Sequence, residues 1–110
     1  FLVISGEDKL ALPLVLAGGT GVISVIGQGL PAAFSDMIRL GQKGASDKAF
    51  DAYYGLSESI DLIFAEGNPS GIKSMLKTLG ISGAFVRLPL VPATHELQQK
   101  INTFVTRFKK

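Results

Sequence analysis

The side chains able to do chemistry are few and dispersed. Glu7 and Asp8 stand beside a turn, where a carboxyl pair could serve as general acid and base, yet the same position suits capping of a following helix. Capping, with Asp8 as the cap, is the preferred reading. His95 is the only histidine, so a metal site or a histidine-based triad has no partners to assemble from, and the residue is read as structural or superficial. A lysine nucleophile would have to be desolvated to form a Schiff base with a carbonyl substrate. Lys9, Lys43, Lys48, Lys77 and Lys100 fall on polar helix faces and Lys73 in a first helical turn, so none of them occupies a buried strand. The absence of cysteine excludes disulfides, thiolate metal ligands and a cysteine nucleophile. A reducing cytoplasm is compatible with that and is the expected compartment; no metal and no cofactor is expected.

Gly27-Gln28-Gly29-Leu30-Pro31-Ala32 has the form G-x-G-x-x-A between a predicted strand and a predicted helix, the context of a dinucleotide fingerprint. That fingerprint also needs a further strand, ending in an acidic residue about 20 positions on. Residues 46–66 read as helix instead, with Glu58, Asp61 and Glu66 on its solvated face, so dinucleotide binding is set aside. The loop is better read as the rim of a site at a strand's C-terminal end, where a helix N-terminus favours an anionic substrate group.

The elements that would position such a rim follow from the apolar pattern. Phe1 to Ile4 reads as a buried strand closed by Ser5 and Gly6, followed by a helix running to Leu16 or Ala17. Gly18, Gly19 and Gly21 turn the chain into a second strand, Val22 to Ile26, whose β-branched run suits a parallel strand buried on both faces. Pro31 then opens a helix over residues 32–40 that stops near Gly41 or Gly44. These are two β-turn-α units, placed in residues 1–44. From Ser46 onward the apolar residues recur at helical spacing, and residues 45–110 are predicted to form a helical domain. Ser46 is the expected cap of a long helix with Ala49, Tyr53, Leu56, Ile60 and Ile63 as its stripe, widened by Phe50 and Phe64. Asn68 and Pro69 are read as cap and first-turn proline of a short helix carrying Ile72, Met75, Leu76 and Leu79 and closed by Gly80. Phe85 to Pro92 is extended, and Thr94 caps a last helix with Leu97, Ile101, Phe104 and Phe108 on one side.

Length and charge narrow the classes further. The 110 residues suffice for one core, and the net charge of +2 comes from basic residues that are dispersed apart from Arg107, Lys109 and Lys110. Those three complement a helix C-terminus and do not suggest a nucleic-acid or lipid patch. Leu10 to Phe34 carries no charge and is long enough to cross a bilayer, but its glycines and two prolines break it into short pieces. No membrane and no nucleic-acid partner is expected. The chain opens on Phe1-Leu-Val-Ile without a signal-peptide pattern and reads as part of something larger.

Taken together, Val3-Ile-Ser-Gly-Glu-Asp8, the run from Gly18 to Val25, Asn68-Pro69 with Lys73, and Arg87-Leu-Pro-Leu90 resemble the C-terminal part of the dihydrodipicolinate synthase family, also called 4-hydroxy-tetrahydrodipicolinate synthases. The resemblance spans nearly the entire chain. Arg87-Leu-Pro-Leu90 favours the synthases over their relatives the N-acetylneuraminate lyases. One departure lies inside it: Ser70-Gly71 stands where the family commonly has isoleucine and proline, which predicts a looser helix start.

The resemblance implies an α/β architecture, a (β/α)8 TIM barrel followed by a small C-terminal helical domain, of which this chain carries the last two βα units and the helices. It also implies a class I lyase that holds pyruvate as a Schiff base on a lysine and condenses it with aspartate semialdehyde, on the route to lysine and diaminopimelate. The lysine would lie on the strand before Phe1 and a proton-relaying tyrosine earlier still, so Tyr53 and Tyr54 are not given that role and no catalytic residue is expected here. Ile23 resembles the residue of the eighth strand that contacts bound pyruvate, and Gly6 the glycine of the seventh beside the Schiff base. A homo-oligomer is implied, and the isolated chain is expected to be inactive and to self-associate through its unpaired strand edges. Two alternatives stay open: another pyruvate-dependent aldolase such as an N-acetylneuraminate lyase, and a non-catalytic helical oligomerisation module.

Overall fold

The structure, a computed structural model, describes residues 1–110. In chain order it contains β1 (Ile4–Ser5), α1 (Asp8–Leu16), β2 (Gly21–Val22), a 3-10 turn at Ile26–Gln28, α2 (Pro31–Gln42), α3 (Ser46–Phe64), α4 (Ser70–Thr78) and α5 (His95–Phe108). Two compact units, Phe1–Ile60 and Asp61–Lys110, divide the chain, with α3 crossing from one to the other. No helix is long and apolar enough to cross a membrane.

In the first unit β1 and β2 pair in parallel, Ile4 opposite Gly21 and Ser5 opposite Val22. α1 buries Ala11, Leu12 and Val15, and α2 buries Phe34, Met37 and Ile38. The period of two puts Ser5, Val22 and Ser24 on the helix side and Ile4 and Ile23 on the other. Ser5 is buried, whereas Ile4 and Ile23 are exposed. The strands are shorter than expected. Phe1 to Ile4 is exposed throughout; only Ile4 of it belongs to β1, and before it Val3 O accepts from Thr20 N at 2.8 Å and from the Thr20 hydroxyl at 3.0 Å. The second strand ends at Val22, so the expected doubly buried run to Ile26 is corrected: Ile26 alone of it is buried, inside the 3-10 turn. A two-stranded sheet with helices on one side has nothing to cover its other face.

The N-terminal cap of α1 is also corrected. Glu7 holds the cap position and its side chain accepts from Lys9 N at 3.3 Å, while Asp8 is the first helical residue and turns inward. α2 begins at Pro31 as its fixed φ predicts, and Gly44 beyond its end has φ +72°. Ser46 is the first residue of α3 and not its cap, since Ala49 N already donates to Ala45 O at 3.0 Å. Ala49, Leu56 and Ile60 are buried as the stripe predicts, and Tyr53 is half-buried with its ring edge-on to Phe50 at 5.9 Å.

The second unit is built on α4 and α5. Asn68 does not cap α4: Pro69 holds that position without a side-chain bond, and the Asn68-Pro69 peptide is cis. α4 buries Ile72 and Met75, and beside them Ser70, Gly71 and Ser74. Ser74 Oγ donates to Gln98 Oε1 at 2.6 Å, and Gln98 Nε2 donates to Thr78 Oγ1 at 2.9 Å, so a polar seam runs along the apolar one. α5 is capped by Thr94, whose Oγ1 accepts from Leu97 N at 3.3 Å, and buries Leu97, Ile101, Phe104 and Val105. Phe108 stacks on Phe104 at 5.4 Å.

Glu66 ties the start of α5 to the end of α3. Its carboxylate accepts from Thr94 N at 2.8 Å and from the Thr94 hydroxyl. The Thr94 side-chain bond first, then the backbone bond, holds its pKa below the ordinary 4.5. A depressed folded-state pKa contributes stability that is complete above the unfolded value and is lost as pH falls through the lower folded one. Glu66→Gln should therefore lower the urea midpoint at neutral pH, with the gap to the unmodified chain closing as pH falls below the ordinary carboxylate value of 4.5. A gap that is independent of pH would contradict this.

Candidate functional site: the ends of the paired strands

The chemistry open to the first unit lies where β1 and β2 stop. Ile23 N donates to Ser5 O at 2.9 Å, extending the ladder by one bond and setting Ile23 across from the Ser5-Gly6 end of the neighbouring strand. Gly6 is exposed, and a Cβ built on it would meet nothing within 4 Å. Ile23 is 78% exposed. The two positions singled out from sequence thus stand together at adjacent strand ends, one leaving space and the other presenting an apolar surface.

The loops behind them are cross-linked by Asp8. Its carboxylate is 2% exposed and accepts from Val25 N at 3.3 and 3.2 Å and from Ile26 N at 2.9 Å. Ser5 adds a local lock, its hydroxyl donating to Glu7 O at 2.9 Å and accepting from Glu7 N at 3.1 Å. Ser24 Oγ accepts from Gly27 N at 2.9 Å, which starts the 3-10 turn. A general acid–base pair of Glu7 and Asp8 is not what the geometry offers, because one carboxylate caps a helix and the other is spent on backbone amides.

A cavity of about 330 Å³ lies beside β2, lined by Gly21, Val22, Ser24, Phe34, Ser35, Ile38 and Arg39. Val22 and Ser24 alternate with Ile23, so this space is on the helix side of the strand and away from the strand-end surface. No three His, Cys, Asp or Glu side chains converge as a metal-holding group.

The chain's likeness to known proteins has the same extent as this architecture. The sequence model of the dihydrodipicolinate synthetase family matches residues 1–108. The chain belongs to that family. A 4-hydroxy-tetrahydrodipicolinate synthase of Flavobacterium psychrophilum is 51% identical over 110 residues, all of this chain and 38% of that protein. The crystal structure of dihydrodipicolinate synthase from Aquifex aeolicus superposes with a TM-score of 0.94 at 31% identity, covering 99% of this chain and 37% of that one. A chloride-inhibited dihydrodipicolinate synthase of Acinetobacter baumannii, complexed with pyruvate, does so with a TM-score of 0.94 at 26% identity, covering 99% and 38%. The chain therefore spans a little over a third of the length of these relatives.

Within the family the fold is that of the last two βα units of a (β/α)8 barrel and the helices that follow them, mainly helical in itself. The bare face of the β1–β2 pair then has a simple reason, since strands of such a barrel are covered on both faces by the rest of it. The side chains set aside from sequence have ordinary surroundings of their own. His95 is exposed at the start of α5, Tyr54 is 70% exposed on α3, and Lys73 donates to Phe85 O, bracing the segment that leads to Arg87. The residue that sequence reasoning missed is Asp8 as a long-range tie. Its amide partners lie 17 and 18 positions on, beyond any local capping pattern.

Proposed function

We propose that this chain is the C-terminal part of a 4-hydroxy-tetrahydrodipicolinate synthase, a lyase that condenses pyruvate with aspartate semialdehyde on the route to lysine and diaminopimelate. The observation that carries the reading is the match across the whole chain to synthases of that name, 51% identical in the Flavobacterium protein. In this reading a lysine outside these residues attacks the pyruvate carbonyl, water leaves, and the resulting imine loses a methyl proton to give the enamine that adds to the aldehyde. Gly6 leaves room beside the imine, and Ile23 forms an apolar wall that keeps water from it. Neighbouring strand ends of a barrel suit that division of labour, because a small residue and an apolar one together desolvate a pocket while the reacting group arrives from a third strand. The helices of residues 45–110 serve as a separate helical domain. The protein works as a homo-oligomer in the cytoplasm.

The test is a trapping experiment on two proteins. The product of the entire reading frame, incubated with pyruvate and then borohydride, should gain one reduced pyruvate on a single lysine lying on the strand before Phe1. The isolated 110-residue chain should keep its mass. An adduct on a lysine of the isolated chain, or none on the entire product, would overturn the proposal.

A further inference from the structure

The segment from Ile23 to Ile26 is held by its backbone. Ile23 N is fixed at one end by Ser5 O, and at the other Val25 N and Ile26 N are both taken by the Asp8 carboxylate. Between these two ties lie Ile23 and Ser24. The Ile23 side chain, 78% exposed in this unit, gets little packing support from it, so its direction is set by the two ties. Asp8 is itself immobilised, 2% exposed on the first turn of a helix whose Ala11 and Leu12 are fully buried. Helix capping does not explain it, because Glu7 does the capping. What Asp8 adds is a bond between two strand-end loops, made to amides that would otherwise be left without partners or would prolong the ladder and turn the following residues to other faces.

We propose that Asp8 is a positioning residue for pyruvate binding: by holding the amides of Val25 and Ile26 it keeps the Ile23 wall in place. This rests on the functional reading above. Removing the carboxylate should leave the chemistry of the lysine intact and loosen the wall, so the loss should fall on pyruvate affinity.

The experiment uses the entire protein and steady-state kinetics with both substrates. Asp8→Ala should raise KM for pyruvate about tenfold while KM for the aldehyde stays within about twofold. Asp8→Asn should recover most of the loss, because its single oxygen, in the place of Oδ2, still accepts from both amides. Ile101→Ala, a buried change in the other unit, serves as a purely destabilising comparison and should lower Tm without moving KM. An Asp8→Ala protein that loses stability as Ile101→Ala does, with KM for pyruvate unchanged, overturns the proposal. If Asp8→Ala does not fold, Asp8→Glu takes its place, since its added methylene displaces the carboxylate from the amides; the same rise in KM is expected and an unchanged KM is again fatal. Amide hydrogen exchange at Val25 and Ile26 separates the two levels of argument. If the unmodified protein binds no pyruvate, the functional reading fails, and faster exchange at those amides in Asp8→Ala still supports the clamp, whereas unchanged exchange removes it.

Discussion

Gly71→Ala is expected to destabilise the second unit by roughly 3 kcal/mol, near the upper end for adding one methyl to a packed interior. A Cβ built on Gly71 falls on the backbone of Ile63, at its carbonyl oxygen, carbonyl carbon and Cα. Backbone atoms cannot swing aside as a side-chain tip can, so α4 would have to move away from the last turn of α3. That shift would strain the bond from Ser70 Oγ to Val91 O, 2.6 Å, and the Gly71 N to Gly67 O bond, 3.3 Å. The departure from the family pattern at Ser70-Gly71 therefore does not loosen the helix start. Glycine lets α4 approach α3 more closely than a residue with a Cβ could, and Ser70 ties the same helix start to Val91 O. Gly55→Ala is the matched control, because Gly55 is an exposed α3 residue whose added Cβ meets nothing within 4 Å. There the lower backbone entropy of alanine should stabilise by about 0.5–1 kcal/mol. Urea midpoints measure both; a Gly71→Ala midpoint equal to that of the unmodified chain would show that α4 is free to shift.

What could be read from sequence divides by the range of the interactions. The Thr94 cap and the buried Leu97, Ile101 and Phe104 of α5 follow from contacts within a few positions, and the structure has them where the pattern puts them. Pro31 opening α2 is equally local. Caps that differ by one residue, Glu7 for Asp8 and Ala45 carbonyl for Ser46, reflect a choice among neighbouring polar groups that only the bonds themselves decide. The strands are another matter. Val22 to Ile26 has the composition of a buried strand, but its length is decided by Asp8, which takes the amides of Val25 and Ile26 for itself. Pairing of the two strand ends was foreseeable from the two β-turn-α units; the register that sets Ser5 against Val22, and so Ile23 beside Gly6, needs the three-dimensional ladder. The Ser74–Gln98–Thr78 seam was invisible for the same reason, since its members look like ordinary solvated residues until two helices meet.

The largest expected effect in the first unit concerns the contact of α1 with α2. Leu12 is fully buried, and its Cδ1 lies 2.7 Å from where a Cβ on Gly41 would stand; Val15 Cγ1 is 3.3 Å from the same point. The missing side chain at Gly41 is thus the space that Leu12 fills. Leu12→Ala should cost about 2–5 kcal/mol, the lost transfer free energy plus a cavity that the helices only partly close. Gly41→Ala alone should also destabilise, by about 1–3 kcal/mol less whatever alanine gains within a helix, because Leu12 has to leave its place. Combined, the two changes put a methyl into the hole that the leucine vacates. The double variant should therefore be more stable than the sum of the single effects by about 1–2 kcal/mol, within the range found for residues in direct contact. Val15 is the check on this argument. It has to yield by a few tenths of an ångström whether or not Leu12 is present, so part of the Gly41→Ala penalty should persist in the double variant, and Val15→Ala added to it should relieve that remainder. Strict additivity of Leu12→Ala and Gly41→Ala would mean that α1 and α2 relax independently and that the leucine does not occupy the glycine's space.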